Sequence, residues 1–217
     1  MQAPRLLDLF CCQGGASAGY VAAGFDVLGV DLDPQPRYPY EFIQADALDY
    51  LAEHGHEFDA IHAYPPCQGY SLTQRIQRNA HPMLIDKVRD LAHWVGVPYV
   101  IENVRAARWA MLDPVELCGC AFGLHTYRPR LFESSFPITV PPCRPHTGVT
   151  VKMGRPVKPG DWYHAVGNYN GGDYVREDMG VPWMSRDGVR ECIPPAYAEH
   201  VGRQMLDHLA TTTEQVA

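Results

Sequence analysis

The fold is decided by residues 5–15, which read RLLDLFCCQGG. Residues 5–11 are typical of a short buried strand, and Gln13-Gly14-Gly15 predicts a tight turn. The small residues from Ala16 to Ala23 then predict a helix that closes at Gly24. Glycines after a first strand let the backbone approach a cofactor closely. The stretch therefore predicts the opening of an α/β domain that binds a nucleoside cofactor.

Strands and helices continue to alternate beyond this opening. Further strands are predicted at 27–30, 58–63 and 98–101, and helices near 47–54 and 83–95. This alternation predicts a doubly wound, mostly parallel, Rossmann-like α/β sheet. Residues 117–142, including Phe136 to Val140, are interpreted as the later strands. We expect a single domain over 1–217, with 133–182 as a small loop-rich insertion and 183–217 as C-terminal helices, the first capped by Ser185.

Composition sets limits on the class of protein. With 217 residues, 46% apolar and 20% charged, the chain resembles a soluble globular protein, and no apolar run approaches the ~20 residues that span a bilayer. We expect a cytoplasmic protein. Seven cysteines, an odd number, disfavour a disulfide framework. The net charge is −7, but residues 68–160 hold 12 basic and 6 acidic side chains, which permits a polyanionic substrate.

The predicted strand ends bring chemically useful side chains to one side of the sheet. These are Gly14, Asp31, Asp46, Cys67 and Glu102. A carboxylate that ends the second strand can accept both hydroxyls of a ribose, and the absence of G-x-G-x-x-G disfavours a dinucleotide. Glycine turns and strand-terminal aspartates are also common without any ligand.

Cys67 is the sharper clue. It follows Pro65-Pro66, which fix its backbone, and a rigid position suits a nucleophile. Glu102 arrives at the next strand end, where burial favours its protonated form, and we expect Asn103 to hold its carboxyl. Arg128 and Arg130 lie two apart, so an extended backbone would point both to one side. Buried thiols and surface arginines are the alternative interpretation.

The order and spacing of these motifs resemble the DNA cytosine C5 methyltransferases. The likeness covers residues 5–135 and is carried by Asp8 to Gly15, Pro66-Cys67-Gln68 with Tyr70-Ser71, Glu102-Asn103-Val104, and Arg128-Pro129-Arg130 before Leu131-Phe132. It implies S-adenosylmethionine as cofactor, with Phe10 on the adenine, Asp31 on the ribose, Asp46 on the adenine amino group, and Gly14 and Pro66 lining the site. It also implies that Cys67 adds to C6 of a flipped-out cytosine while Glu102 protonates N3 and Arg128 and Arg130 orient the base.

Three features depart from that family pattern. Cys12 replaces a usual glycine, and Gly202-Arg203-Gln204-Met205 replaces the usual closing motif. Residues 133–182 leave little room for target recognition, since specific duplex readers bury ~1,000 Å² or more. Duplex DNA is the favoured substrate, and single strands, RNA, a free cytosine nucleotide or a protein partner for recognition stay open. The aromatic residues of this segment, either base-stacking groups or its own core, are Trp162, Tyr163, Tyr169 and Tyr174.

A metal site is the last alternative. Cys118, Cys120, Cys143 and His146 have residue types that bind zinc, and Cys143 and His146 have a plausible chelating spacing. Cys118-Gly-Cys120 is shorter than the usual ligand pair. We therefore expect buried thiols and no metal.

Overall fold

The computed structural model describes residues 2–70, 81–143 and 146–216, so Ser71 of the predicted nucleophile loop lies outside the described residues. A seven-stranded sheet, in the order β3-β2-β1-β4-β5-β7-β6, forms the centre of the described part. Its strands are β1 Arg5–Leu9, β2 Asp26–Asp31, β3 Glu41–Gln44, β4 Ala60–Ala63, β5 Tyr99–Val104, β6 Val115–Leu117 and β7 Arg130–Ser134. Its helices are α1 Gly15–Ala23, α2 Ala47–His54, α3 Ile85–Val95, α4 Gly172–Asp178, α5 Arg186–Glu191 and α6 Pro195–Val216.

Strands β1 to β5 pair in parallel, whereas β7 runs antiparallel to both β5 and β6. Because parallel strands are covered by helices on both faces, they read as nearly continuous apolar runs. The pattern of β1, β4 and β5 fits this rule, since almost every residue in them is buried. The prediction of a mostly parallel, Rossmann-like α/β fold is confirmed.

Two apolar layers cover the sheet. Successive strand residues point to opposite faces, so Leu7 and Ile101 pack with α2 and α3, whereas Leu6 and Val100 pack with α1 and α6. Helices α1 and α6 approach closely at Gly19, where an added Cβ would overlap the backbone of α6. This packing fixes the loop between β1 and α1 against the C-terminal helix.

Some predicted elements differ from the observed ones. Residues 136–140 form no strand, because Pro137 has no N–H for a ladder and the chain leaves the sheet after Ser134. Strand β3 and helix α4 were not predicted. Ser185 caps α5 as predicted, with its side chain accepting from the Gly188 N–H at 3.1 Å. Within the described ranges, no helix has both the length and the apolar character that crossing a membrane requires.

Candidate active site

Cys67 lies on a loop that two neighbouring strands hold in place. The loop leaves β4 with the Tyr64 N–H donating to the Leu9 carbonyl (3.2 Å), and the side-chain amide of Asn103 on β5 donates to the Pro65 carbonyl (2.9 Å). After the cysteine, the Tyr70 N–H donates to the Cys67 carbonyl (3.1 Å) and closes a short turn. The half-buried thiol is therefore fixed at the C-terminal edge of the sheet, as predicted from Pro65-Pro66.

Tyr64 is a site residue that sequence reasoning missed. Its hydroxyl donates to the Cys67 Sγ at 3.3 Å. Burial raises the pKa of Tyr64, and the neighbouring negative charges of Glu102 and Cys67 raise it further, so this phenol keeps its proton and acts as a donor. Its place directly before Pro65-Pro66-Cys67 was the available signal, but spacing alone does not assign a hydrogen bond.

Glu102 is fully buried in β5. The Arg130 Nε lies 3.0 Å from Oε1, yet neither carboxyl oxygen accepts a well-directed hydrogen bond from any residue that the structure describes. Burial raises the pKa of Glu102 to about 7, against the opposing effects of Arg130, His62 and Arg128. A carboxyl with such a pKa exists in both forms near neutral pH, which suits a group that donates and recovers a proton.

The expectation that Asn103 holds the Glu102 carboxyl is wrong. Consecutive strand residues point to opposite faces, so Asn103 cannot follow the side chain of Glu102. Its amide instead contacts Pro65, and its Oδ1 accepts from the Val104 N–H at 2.9 Å. Asn103 therefore positions the Cys67 loop and leaves the carboxyl of Glu102 unengaged.

The paired arginines have different surroundings. Arg130 is buried beside Glu102. Burial lowers the pKa of Arg130, but the negative charge of Glu102 is the main opposing effect, and the pKa is raised overall. Arg128 has a positive φ of 30°, so the backbone is not extended and the two side chains do not share one direction. The Arg128 guanidinium donates to the carbonyls of Cys192, Ala165 and Arg190 at 2.7, 3.0 and 2.8 Å. Arg128 thus joins separate loops, whereas Arg130 faces the carboxyl.

The loop after β1, residues 10–14, has a strained backbone and is held by Asp31; it is called the cradle. Phe10, Cys12 and Gly14 all have positive φ, at 60°, 47° and 82°. Asp31 at the end of β2 holds this loop, because its Oδ2 accepts from the Cys12 N–H at 2.9 Å. An added Cβ at Gly14 would lie 2.9 Å from the ring of Tyr38, so glycine is required there. The predicted Phe10, Gly14 and Asp31 therefore belong to one loop structure.

Asp46 and Pro66 lie at the margin of this region. The exposed Asp46 caps α2, its Oδ1 accepting from the Leu48 and Asp49 N–H groups at 2.8 and 3.1 Å. Its other oxygen makes no hydrogen bond within the described chain. Pro66 is half-buried next to Cys67. Gly202, from the replaced closing motif, packs against Ala23 and Tyr20 in the contact of α1 with α6.

A narrow cavity lies between the cradle and Tyr64, the residue that follows β4. Phe10, Cys12, Tyr64 and Glu191 are among the side chains that line it. Glu191 was not predicted; burial raises its pKa, and its distance of 4.0 Å from the Cys12 sulfur places a carboxyl beside the cradle. The aromatic ring of Phe10 and the carboxyl of Glu191 in this lining, with the Asp31 carboxylate on the adjoining loop, suit a nucleoside cofactor that carries positive charge. The donor set therefore fits S-adenosylmethionine.

A wider groove opens on the other side of Arg130. It encloses about 360 Å³ and is lined by residues that include Arg105, Thr126, Pro129, Arg130 and His164. Two exposed residues nearby, Trp109 and Arg108, follow β5 in the turn Arg105–Ala110. Arg130 lines the groove and contacts the buried Glu102, so the groove is the candidate entrance for a substrate.

The aromatic residues of the insertion do not form an open stacking surface. Tyr163 and Tyr169 are buried, with Val175 and Val181, in the separate apolar cluster of this segment. Tyr174 packs against the same cluster, and Trp162 stacks on Tyr127 with ring centroids 4.6 Å apart. The interpretation that these side chains form the segment's own core holds for Tyr163, Tyr169 and Tyr174, whereas Trp162 packs on Tyr127, outside the segment.

Comparison with known proteins identifies the fold. The sequence matches no family model and no curated relative. Among solved structures, S. pombe Dnmt2 methyltransferase has a TM-score of 0.63 and 12% identity, over 95% of this chain and 99% of that one. A Spodoptera frugiperda DNMT2 mutant gives 0.60 and 12%, over 94% and 100%, and the Entamoeba histolytica methyltransferase EhMeth gives 0.66 and 11%, over 96% and 99%. The chain therefore has the fold of these methyltransferases.

Proposed function

We propose that the chain transfers a methyl group from S-adenosylmethionine to C5 of cytosine in DNA. The observation that carries this proposal is the pairing of Cys67, fixed on a Pro-Pro loop, with Glu102, a buried carboxyl whose pKa is about 7. A nucleophile and a proton donor at neighbouring strand ends are what a poorly reactive pyrimidine ring requires.

Cys67 supplies the attacking sulfur. Its thiolate forms a bond to C6 of the cytosine ring, and the electron pair of the C5–C6 double bond moves into the ring toward N3 and C5. The Tyr64 hydroxyl, 3.3 Å from the sulfur, stabilises and orients the thiolate. Asn103 keeps the loop in register by its contact with Pro65.

Glu102 supplies the proton that N3 accepts as this charge develops. With a pKa near 7, the carboxyl is still partly protonated at neutral pH, and its oxygens are not engaged elsewhere in the described residues. Arg130 at 3.0 Å stabilises the carboxylate after the proton has left. Arg128 acts indirectly, by joining the loops around Cys192 and Ala165 to the strand that carries Arg130.

We assign roles in cofactor binding to residues in and beside the cradle. Phe10 offers an aromatic face, Asp31 a carboxylate for ribose hydroxyls, and Glu191 a negative charge near the methionine portion. When bound, S-adenosylmethionine would supply an electrophilic methyl group to C5. The C5 proton would then leave to a base from solvent, Glu102 would recover the N3 proton, and elimination of the Cys67 sulfur would break its bond to C6. Asp46 stays a proposed contact of the adenine amino group, through the carboxylate oxygen that does not cap α2.

The substrate is proposed from charge and shape. Lys152, Arg155 and Lys158 are exposed on the insertion, and the groove is lined by Arg130 and by Arg105, which is paired with Glu116, so the proposal rests on cations at the insertion and in the groove. The short insertion favours recognition of few base pairs. Duplex DNA is the preferred substrate of this proposal, with the target base turned out of its stack.

A transfer assay with the methyl-labelled cofactor tests the proposal. Duplex DNA, single-stranded DNA, RNA and cytosine nucleotides are compared, and nuclease digestion identifies the methylated base. We expect 5-methylcytosine from duplex DNA with the intact chain and none with Cys67→Ser. Label found only in RNA, single-stranded DNA or nucleotides would show that the chain methylates that substrate and not duplex DNA, by the same proposed reaction. Cofactor binding without methyl transfer to any of these substrates would contradict the proposal that the chain is active alone. It would favour a subunit that needs a partner.

A further inference from the structure

Four potential metal ligands meet at the sheet edge, on the strand pair β6 and β7. Cys118 follows β6, Cys120 lies in the next turn, and Cys143 and His146 belong to the chain that follows β7. Their Sγ and Nε2 atoms all lie within 4.8 Å of one another. The two N-terminal cysteines are buried and the other two ligands are exposed, so the cluster joins the sheet edge to the insertion.

The distances from His146 to the three sulfurs match those around a tetrahedral ion. Zinc bonds of about 2.3 Å to sulfur and about 2.05 Å to nitrogen, at tetrahedral angles, separate sulfur from nitrogen by ~3.5 Å and sulfur from sulfur by ~3.8 Å. The His146 Nε2 lies 3.3, 3.5 and 3.3 Å from the sulfurs of Cys118, Cys120 and Cys143. The sulfurs of Cys118 and Cys120 are 3.4 Å apart. One nitrogen nearly equidistant from three sulfurs is the arrangement of a Cys₃His site.

The short Cys118-Gly-Cys120 spacing does not prevent this arrangement. Gly119 packs directly against the Thr126 backbone, where an added Cβ would overlap the carbonyl. Its N–H donates to the Tyr127 carbonyl at 2.8 Å, so that carbonyl keeps a partner when the Cys118 thiol loses its proton. The tight turn therefore brings both sulfurs to one side, which spacing in the sequence does not reveal.

A disulfide between Cys120 and Cys143, whose Cα atoms are 6.0 Å apart, is the competing state of the cluster. The disulfide accounts for two of the four groups and leaves Cys118 and His146 pressed against it. The ring of His146 is also held in place, stacked on Tyr127 with centroids 4.0 Å apart and a 20° angle. An oriented imidazole and a third sulfur at this point indicate a metal ligand set.

We propose that the reduced chain binds one zinc ion through Cys118, Cys120, Cys143 and His146. A thiol reductant supplies two electrons and two protons to the disulfide and is itself oxidised to a disulfide. Zinc then displaces the protons of the three thiols and binds the neutral imidazole. The ion is structural, because it has four protein ligands and lies apart from Cys67 and Glu102. It fixes the insertion beside Tyr127, the neighbour of Arg128.

Metal analysis of the full-length chain, purified with zinc and a phosphine reductant and then dialysed, tests the site. We expect one zinc per chain, and loss of zinc from Cys118→Ser and His146→Ala. The matched controls Cys192→Ala and His56→Ala, outside the cluster, retain the ion. Because a ligand variant can also fail to fold, cobalt is exchanged into the unmodified chain, where thiolate-to-metal charge-transfer bands and tetrahedral d–d bands are expected.

Two results would overturn the proposal. One is a reduced, folded chain that holds no zinc and gives no tetrahedral cobalt spectrum. The other is retention of the Cys120–Cys143 disulfide after reduction and zinc addition, read as a mass lower by two hydrogens and by failure of both thiols to alkylate. These results would leave the cluster as a disulfide with two packed neighbours, and neither depends on methyl transfer.

Discussion

The two halves of the molecule position their side chains in different ways. In the parallel half, residues 5–104, strands β1, β4 and β5 are buried on both faces, and the site residues lie at or just beyond strand ends. In the irregular half, residues 113–193, strands are short and long loops are joined by side chains. Arg128 donates to the carbonyls of Ala165, Cys192 and Arg190, the last of these at the end of α5, and the Tyr197 hydroxyl of α6 donates to the Arg128 carbonyl at 3.0 Å.

This difference distinguishes the residues that we propose to react from a residue that stabilises the fold. Cys67 and Glu102 are positioned by the backbone of strands β4 and β5, so their side chains are available for reaction. Arg128 is occupied by the backbone, so its contribution is to the fold around Arg130. Substitution of Cys67 or Glu102 should therefore remove activity and leave the fold intact, whereas substitution of Arg128 should first lower stability.

The largest effect in this comparison is expected at Glu102. Glu102→Gln removes the proton donor and keeps the shape of the side chain, so the methyl-transfer rate should fall by about 10²–10⁴-fold. The measurement is single-turnover transfer at saturating cofactor and DNA. Glu53→Gln, at an exposed position of α2, is the matched control and should keep the full rate. An unchanged rate in Glu102→Gln would show that Glu102 is not the proton donor.

Arg128 provides the opposite case. Arg128→Met keeps the apolar length but leaves three carbonyls without their donor, so we expect the free energy of unfolding to fall by about 3–5 kcal/mol. Urea denaturation followed by circular dichroism measures this change. Arg108→Met, at an exposed position, should change it by less than about 0.5 kcal/mol. Equal losses in both variants would show that the carbonyl contacts do not stabilise the irregular half.

The pKa of Glu102 also predicts how stability depends on pH. Its folded-state pKa, raised by burial from 4.5 to about 7, means that the folded chain holds this proton where the unfolded chain has lost it. The contribution is complete below pH 4.5 and is lost as pH rises to about 7, by up to about 3 kcal/mol. Unfolding free energies of the unmodified chain and Glu102→Gln should therefore diverge over this range, in favour of Gln. Parallel curves would contradict a buried, weakly acidic carboxyl.

A smaller effect is expected at Tyr64. Tyr64→Phe removes one hydrogen bond to the Cys67 sulfur, and loss of about 1.4 kcal/mol corresponds to about a tenfold slower reaction. Peptide-resolved alkylation of Cys67 by iodoacetamide reports this effect without substrate. The alkylation rate of Cys67 in the urea-unfolded chains, where the contact with Tyr64 is absent, gives the reference. A rate at Cys67 that does not change would leave Tyr64 as packing alone.

The sequence was most informative where backbone periodicity fixes the answer. Apolar runs and the side chains after them located β1, β2, β4 and β5, and they brought Cys67 and Glu102 to one edge. Strand β3 escaped notice because Glu41–Gln44 is a short, only partly buried edge strand with no continuous apolar run. Residues 136–140 looked like a strand, but Pro137 cannot donate to a ladder.

Side-chain partners were harder to predict. Asn103 was matched with Glu102 because the two are adjacent, although adjacent strand residues face opposite sides. The direction of Arg128 depends on a positive φ of 30°, which its sequence neighbours do not reveal. The convergence of Cys118 and His146 depends on the turn at Gly119 and was disfavoured by spacing. These contacts are set by the tertiary fold, which local pattern does not encode.

The most direct measurement of the central claim is covalent trapping on duplex DNA that contains 5-fluorocytosine. Release of the enzyme requires removal of a proton from C5, and 5-fluorocytosine has fluorine there in place of the proton. An enzyme that attacks C6 and transfers the methyl group therefore remains bound through its sulfur. We predict a denaturation-resistant, cofactor-dependent complex whose cross-linked peptide contains Cys67, and no complex with Cys67→Ser. Absence of a complex with the folded, cofactor-bound chain, or an equal yield with Cys67→Ser, would contradict the assignment of Cys67 as the nucleophile.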